Sequence, residues 1–147
     1  MTPLSQNFTL EDFTHSDVAV RKGIDNTPNA EALANLAELA LTLEKVRDLL
    51  GVPIHINSGY RGPKVNAAVG GSSTSAHMTG QAVDFTAPAF GTPQGIAIEI
   101  AASDIAFDQL IVEFGSWCHL GIRGDMRHQL LTASRVDGKT HYAQGIA

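Results

Sequence analysis

Three side chains that can bind a metal ion lie in two short stretches of the sequence. The first, SAHMTGQAVDF at residues 75–85, carries His77 and Asp84 seven residues apart, with Gly80 between them. Gly80 allows a tight bend, so a strand after it can bring Asp84 back toward His77 and point both side chains into one pocket. His119 is a third donor, because it interrupts the apolar strand WCHLGIR where an aliphatic side chain would cost less desolvation.

Two imidazoles and one carboxylate are typical of a catalytic zinc site. Such a set leaves room for water, whereas structural zinc sites usually have four protein ligands. The alternative for each histidine is a hydrogen-bonded core or surface residue, as a single histidine in an apolar stretch often is. Four further histidines lie outside these stretches and are interpreted in that way: His15, His55, His128 and His141.

The elements predicted around these residues indicate an α+β fold, a small antiparallel sheet with one long helix packed behind it and the zinc site at the sheet. The helix is predicted between Asn29 as its cap and Gly51 as its end. Its apolar face has helical spacing and comprises Leu33, Leu36, Ala40, Leu43, Val46 and Leu50.

Strands are predicted in VPIHINSGY, QAVDFTA, FDQLIVEF and WCHLGIR, and the last two form a hairpin through Gly115 and Ser116. Thr9 with Asp12, and Thr92 with Pro93, predict the starts of two shorter helices. The stretch GPKVNAAVGGSSTSAHMTG is expected to be mostly loop with room for one short helix, and the tail from Asp125 onward a surface turn and a loose end.

Composition and charge exclude several classes of function. A chain of 147 residues, 44% of them hydrophobic, suits a single domain over residues 1–147. A net charge of −5 without a cluster of lysine or arginine argues against nucleic-acid binding and against docking to an anionic surface. The one cysteine, Cys118, excludes an intrachain disulfide and is expected to be a small buried side chain.

Neither a signal peptide nor a membrane span is predicted. The N-terminal stretch MTPLSQNFTLEDF lacks a basic start followed by an apolar run. No stretch approaches the roughly 18 consecutive apolar residues of a membrane span. The expectation is therefore synthesis in the cytoplasm and no membrane partner.

The motifs SGYRGPKVN, SAHMTGQAVDF and EFGSWCHLGI resemble the zinc D-Ala-D-Ala carboxypeptidase family of peptidoglycan peptidases. That family's pattern is Ser-Gly-Tyr-Arg, then His-x-x-Gly-x-Ala-x-Asp, then a Trp-x-His strand. The likeness extends over most of the chain, and its opening is similar to that of small phage and prophage members. The resemblance implies the fold shared with vancomycin-resistance dipeptidases, phage L-alanyl-D-glutamate endolysins and the hedgehog signalling domain.

The resemblance implies Zn2+ as the cofactor, with His77, Asp84 and His119 as its ligands. Arg61 matches the family's arginine near the substrate carbonyl or carboxylate, a task that suits the planar guanidinium. The alternative for Arg61 is an exposed turn residue.

Three neighbouring residues are further candidates for contact with substrate. Tyr60 is expected to shape the turn that holds Arg61 and to bind substrate there. Ser75 either bonds substrate or ends its loop, and Trp117 either forms a wall of the pocket or packs in the core.

The general base is where this chain departs from the family. Many relatives carry a glutamate three residues before the last zinc histidine, but here that position is Ser116. The nearest carboxylate is Glu113, which a bend over residues 114–117 places opposite the ligand strand. Alternation puts Glu113 on one face with Ile111, and Leu110, Val112 and Phe114 on the core face. A solvated strand residue is the alternative for Glu113, and Asp108 is the next carboxylate to consider.

The implied reaction is hydrolysis of an amide bond in the peptide stem of peptidoglycan, either D-Ala-D-Ala or L-Ala-D-Glu. Zinc lowers the pKa of its water toward about 7, a carboxylate takes the proton, and Arg61 helps polarise the carbonyl. The alternative, which Ser116 favours, is an inactive virion, tail or wall-binding module that retains the fold and the zinc. A monomer is expected unless the protein is part of a virion, and release on lysis, carriage in a virion and intracellular recycling stay open.

Overall fold

The computed structural model describes residues 2–147, and its centre is a six-stranded sheet. The strands are β1 (His55–Ser58), β2 (Ala82–Thr86), β3 (Gln109–Glu113), β4 (Trp117–Gly121), β5 (Gln129–Val136) and β6 (Lys139–Gln144). They lie in the order β1-β2-β4-β3-β5-β6, and neighbouring strands are antiparallel except for the parallel pair β3 and β5. The α+β class is confirmed, but the sheet is larger than expected and is mixed.

The helices of the described residues are α1 (Leu10–Thr14), α2 (Asp17–Lys22), α3 (Ala30–Leu50), α4 (Pro63–Ala68) and α5 (Pro93–Ala101). α3 confirms the predicted long helix, because the Asn29 side chain caps its start and Gly51, with φ of 69°, ends it. Leu33 departs from the predicted face and is 39% exposed, since Ala32 and Leu39 complete the buried face instead. Thr9 and Thr92 cap α1 and α5 as predicted. Within residues 2–147, no helix has both the length and the apolar character needed to cross a membrane.

Alternation along the strands gives the sheet a core face and a site face. The core face packs with α3 and α5 into the main hydrophobic core, to which the strands contribute Val83, Phe85, Leu110, Val112, Cys118 and Leu120. The residues between them point to the opposite face, and these include Asp84, Glu113 and His119. The predicted alternation in β3 and β4 therefore places the candidate site on the face opposite α3 and α5.

Phe114 is an exception and does not share the core face as predicted. It begins the turn between β3 and β4 with φ of 56°, and Gly115 follows with φ of 64°. Positive φ at both central residues is the signature of the type I′ hairpin turn. This backbone directs the Phe114 ring to the site face, where it packs against Ile111, Leu131 and Ala133.

The C-terminal segment was predicted to be a surface turn and a loose end, but it forms two strands of the sheet. β5 and β6 form an antiparallel hairpin, and β5 extends the sheet by pairing with β3 from Gln109↔Gln129 to Glu113↔Ala133. Arg127 fastens the segment before β5, because its guanidinium donates to both oxygens of Asp108 at 2.9 Å. β6 is exposed along its whole length, which explains why its sequence lacks the alternation that marks a half-buried strand.

The turn that precedes β2 packs directly against α3. A short 3₁₀ turn, Ala76–Thr79, ends at Gly80 with φ of 75°. A Cβ on Gly80 would lie 2.6 Å from the carbonyl oxygen of Ala32, which is backbone of α3 and cannot move aside cheaply. The Asn35 side chain of α3 also donates to the Thr79 carbonyl at 2.8 Å. Gly80 therefore combines the backbone conformation and the close approach that fix this turn.

We predict that Gly80→Ala destabilises the protein more than Gly70→Ala does. Both glycines have φ near 75°, so both substitutions incur the same left-handed backbone cost, roughly 1–2 kcal/mol. Only Gly80 lacks room for a Cβ, which should add an overpacking cost of about 1–3 kcal/mol. Urea unfolding of the two variants measures the difference. Equal loss of stability in both would show that the contact with α3 does not constrain the turn.

Candidate metal centre

Asp84 on β2 and His119 on β4 are direct cross-strand partners. Their side chains share the site face, and His119 Nδ1 lies 2.9 Å from Asp84 Oδ1. Opposite residues in an antiparallel pair have Cβ atoms about 5 Å apart. The strand register alone therefore brings this imidazole and this carboxylate together, although they are 35 residues apart in the chain.

His77 reaches the same point from the 3₁₀ turn before β2. Its Nε2 lies 3.3 Å from Asp84 Oδ1, and its side chain is 3% exposed. The turn begins at Ser75, whose hydroxyl accepts a hydrogen bond from the His77 N–H at 3.2 Å. The bend at Gly80 thus brings His77 back over Asp84, as the sequence predicted.

The three side chains fit a zinc ion. His77 Nδ1 donates to the Gly59 carbonyl at 2.7 Å, and this hydrogen bond orients the ring so that Nε2 is directed at Asp84. One ligand atom from each of His77, Asp84 and His119 lies within 4.8 Å of the others. Two imidazole nitrogens and one carboxylate oxygen are donors that zinc accepts, and three protein ligands leave a position open, as in catalytic sites.

The charges of the site are strongly coupled. Burial of the Asp84 carboxyl opposes its ionisation, but the neighbouring His77 and His119 rings outweigh burial and hold its pKa well below the usual range. Burial acts to lower the pKa of His119, yet the hydrogen bond and charge of Asp84 raise that pKa above its ordinary value. A metal ion must displace the His119 proton, so metal affinity should fall as the pH is lowered through this raised pKa.

Glu113 stands beside this centre on the neighbouring strand. It is the cross-strand partner of Trp117, whose indole Nε1 donates to Glu113 Oε1 at 2.9 Å. The same carboxylate oxygen lies 3.9 Å from His119 Nδ1, and the Glu113 side chain is 15% exposed. Glu113 is therefore a held carboxylate facing the ligands rather than a solvated strand residue. Ser116 lies in the exposed turn, where its hydroxyl donates to the Phe114 carbonyl.

A cleft of about 490 Å³ surrounds the centre. Residues 69–72 and 74–76 line one side, and the C-terminal hairpin contributes Leu131, Thr140 and Tyr142. Trp117 and Ser75 both line the cleft, so Trp117 is a wall residue, and Ser75 combines its capping role with exposure to the cleft.

Arg61 also lines the cleft and is half-buried. Burial lowers the pKa of its guanidinium, while the charges of Asp84 and Glu113 act to raise it. Its Nη2 lies 3.4 Å from Ser75 Oγ, and its Nε is buried without a hydrogen-bond partner among residues 2–147. Arg61 is therefore not the exposed turn residue of the alternative interpretation.

Other sequence candidates lie elsewhere. Tyr60 is buried in the main core, 6% exposed, and does not line the cleft, so the expectation that it binds substrate is corrected. Tyr60 supports the turn instead, because its backbone N–H donates to the Phe13 carbonyl at 2.7 Å.

Asp108 is occupied by Arg127 and is no base for this cleft. Cys118 is buried as predicted, and burial together with the Asp84 charge raises the pKa of its thiol to about 12. The four other histidines, His15, His55, His128 and His141, are exposed.

Sequence reasoning missed the cleft residues that follow β4. Arg123, Thr140 and Tyr142 line the cleft, and none belongs to the three motifs. Arg123 carried one usable signal, because His119, Gly121 and Arg123 are spaced by two and alternation continues the site face toward Arg123. The hairpin residues carried none, since the sequence does not reveal that β5 pairs with β3.

A comparison with protein families gives a match over most of the chain. A family model described as Peptidase M15 matches residues 6–121, from before α1 to the end of β4. The matched span contains the three candidate ligands, Arg61 and Glu113, whereas Arg123 and the β5–β6 hairpin lie beyond it. No curated protein matches the chain.

We predict that the purified protein binds about one zinc ion per chain and that His119→Ala loses it, because two protein donors rarely retain the metal. His55→Ala is the matched control, since His55 is an exposed histidine at the start of β1. Inductively coupled plasma mass spectrometry of both variants measures the bound metal. Unchanged zinc in His119→Ala would remove His119 from the ligand set.

Proposed function

The chain belongs to the peptidase M15 family of metal-dependent peptidases, and from this premise we propose that it is a zinc peptidase that hydrolyses an amide bond in the peptide stem of peptidoglycan. The observation that carries the proposal is the position of Glu113. Its Oε1 lies 3.9 Å from His119 Nδ1, within the cleft that contains the three candidate ligands. Hydrolysis requires a general base held beside the metal ligands, and Glu113 is such a carboxylate. A site that only stores metal needs no such base.

Glu113 is the proposed general base. A zinc ion, when bound, supplies Lewis acidity that polarises the scissile carbonyl and acidifies the attacking water. Glu113 takes a proton from the water molecule as the water oxygen bonds to the carbonyl carbon. It then delivers the proton to the amine nitrogen as the carbon–nitrogen bond breaks, so that one peptide is divided into an acid and an amine.

Trp117 orients the base. Its Nε1–H donates to Glu113 Oε1 at 2.9 Å, which restricts the rotation of the carboxylate. The edge contact between Trp117 and Phe114, with ring centres 5.7 Å apart, in turn holds the indole. A base held in one orientation loses less entropy on reaching the reactive geometry.

Arg61 is proposed to hold the substrate carbonyl or carboxylate. The guanidinium is half-buried and lines the cleft, where Asp84 and Glu113 favour its charge. Its buried Nε has no partner among residues 2–147, and an unpaired buried donor is costly. Because burial closes Nε to a substrate, the other guanidinium N–H groups would donate to a substrate oxygen.

The peptide stem is proposed as the substrate from family membership and from the lining of the cleft. Ile111, Phe114 and Leu131 give an apolar wall, which suits the methyl groups of alanine residues. Both D-Ala-D-Ala and L-Ala-D-Glu bonds offer such a methyl group, so carboxypeptidase and endopeptidase activity are the two forms of the proposal.

The alternative is an inactive virion, tail or wall-binding module that retains the fold and zinc. Ser116 favours it, because the glutamate of many relatives is missing there. Glu113 faces the same ligands from the neighbouring strand, and this favours hydrolysis over binding alone. Zinc binding without turnover would favour the module.

We predict that Glu113→Gln keeps its zinc and lowers the rate of stem-peptide hydrolysis by roughly 100-fold or more, the usual worth of a general base. The amide is isosteric and retains an oxygen that can accept the Trp117 hydrogen bond, so the fold should persist. Glu99→Gln on the exposed face of α5 is the control. Kinetics of both variants with metal analysis test the role, and turnover by Glu113→Gln close to that of the control would reject it.

We predict that Arg61→Lys keeps the fold and the zinc but loses roughly 10-fold or more in kcat/KM, because an ammonium cannot reproduce the planar donor pair of guanidinium. Circular dichroism and metal analysis establish that the variant is intact before its kinetics are measured. Normal kinetics in an intact lysine variant would mean that Arg61 does not contact the reacting peptide.

A further inference from the structure

Two arginines from different elements contact neighbouring residues of the cleft wall, Thr74 and Ser75. Arg123, two residues after β4, donates from Nη2 to the Thr74 carbonyl at 2.7 Å. Arg61, in the loop after β1, places its Nη2 3.4 Å from Ser75 Oγ. Both side chains line the cleft that contains the candidate metal centre. Two positive charges therefore meet on the side of the cleft formed by residues 74–75.

Neither arginine forms an ion pair with an acidic side chain among residues 2–147. Asp108 is close enough for the charge of Arg123 to help lower its pKa, after the larger effect of Arg127. Both oxygens of Asp108, however, accept hydrogen bonds from Arg127 at 2.9 Å. The charges of Asp84 and Glu113 favour the charge of Arg61, whereas Arg123 has no ion pair with a carboxylate. Because the two guanidiniums also repel each other, an anion bound beside Arg123 would stabilise this arrangement.

The hydrogen bond to Thr74 holds Arg123 in place and leaves most of its N–H donors available to a ligand. A guanidinium has five N–H donors, and the Thr74 carbonyl occupies one of them. The remaining donors include the edge geometry that matches a carboxylate in two parallel hydrogen bonds. Arg123 is exposed, so a peptide entering the cleft can reach it.

We propose that Arg123 is a substrate-binding residue that holds a carboxylate of the peptide at residues 74–75 and so decides which peptides are cut. This inference rests on the proposed hydrolysis of a stem peptide. Arg61 serves the reacting group, close to Asp84 and Glu113, and Arg123 binds a carboxylate farther along the same wall. That carboxylate has two sources, the free C-terminus of the peptide or the glutamate residue beside the cleaved bond.

Three synthetic stem peptides distinguish these sources. The first has a free C-terminus and a glutamate carboxylate, the second has an amide at the C-terminus, and the third has the glutamate replaced by its amide. Arg123→Gln and the control Arg21→Gln, an exposed arginine in the last turn of α2, are assayed on all three. Binding of each peptide to the metal-free proteins is measured by calorimetry, which does not depend on turnover.

We expect the parent and Arg21→Gln to prefer the first peptide over one amidated peptide by roughly 10- to 100-fold in KM and in binding, the usual effect of a charge-assisted hydrogen bond. Arg123→Gln should lose that preference with little change in kcat. If Arg123→Gln loses the preference for the free C-terminus over its amide, Arg123 binds the terminal carboxylate. If it loses the preference for glutamate over its amide, Arg123 binds the glutamate carboxylate. If Arg123 only supported the backbone at Thr74, Arg123→Gln would bind all three peptides more weakly by the same factor and keep the preference between acid and amide.

Two results would overturn the inference, and they are distinguishable. If the parent cleaves the first peptide and Arg123→Gln keeps the full preference between acid and amide, Arg123 does not bind the carboxylate and the proposed hydrolysis stands. If the parent neither cleaves nor binds any of the three peptides, the proposed function itself is wrong and the role of Arg123 is lost with it.

Discussion

The pairing of β2 with β4 is the constraint on which the rest of the site depends. It sets Asp84 opposite His119 with 2.9 Å between carboxylate and imidazole. A carboxylate that is 8% exposed is stable only with partners that compensate its desolvation. A slip of one residue in either strand would turn that strand's side chain, Asp84 or His119, to the core face. The same register therefore gives a buried charge its partner and brings two of the candidate ligands together.

The other functional groups are placed by their relation to this pair. His77 returns over Asp84 because the chain bends at Gly80, which is pressed against α3. Glu113 and Trp117 form the next cross-strand pair toward the hairpin turn, on the same face as His119. α3 and α5 pack on the opposite face, so the polar groups lie on the side that is open to the cleft.

Local signals account for what the sequence could predict. Caps and spacing located α3, and alternation with Gly115 and Ser116 located the β3–β4 hairpin and the face of Glu113. Two predictions were wrong because of backbone effects that local sequence does not reveal. The C-terminal segment is a strand because β5 pairs in parallel with β3, and Phe114 leaves the core face because its φ is positive. Arg123 escaped notice because its contact, Thr74, is 49 residues away in the chain. The cluster of His77, Asp84 and His119 was predictable because such side chains are unusual in apolar stretches of sequence.

The central claim is that this centre cuts an amide bond in the stem of peptidoglycan with the help of a bound metal. The most direct measurement is mass spectrometry of purified peptidoglycan after incubation with the protein, with chelator, and with chelator followed by added zinc. The account predicts new fragments whose masses correspond to one hydrolysed stem bond, absent with chelator and restored by zinc. An unchanged fragment pattern with zinc-loaded protein, or the same cleavage in chelator, would contradict it.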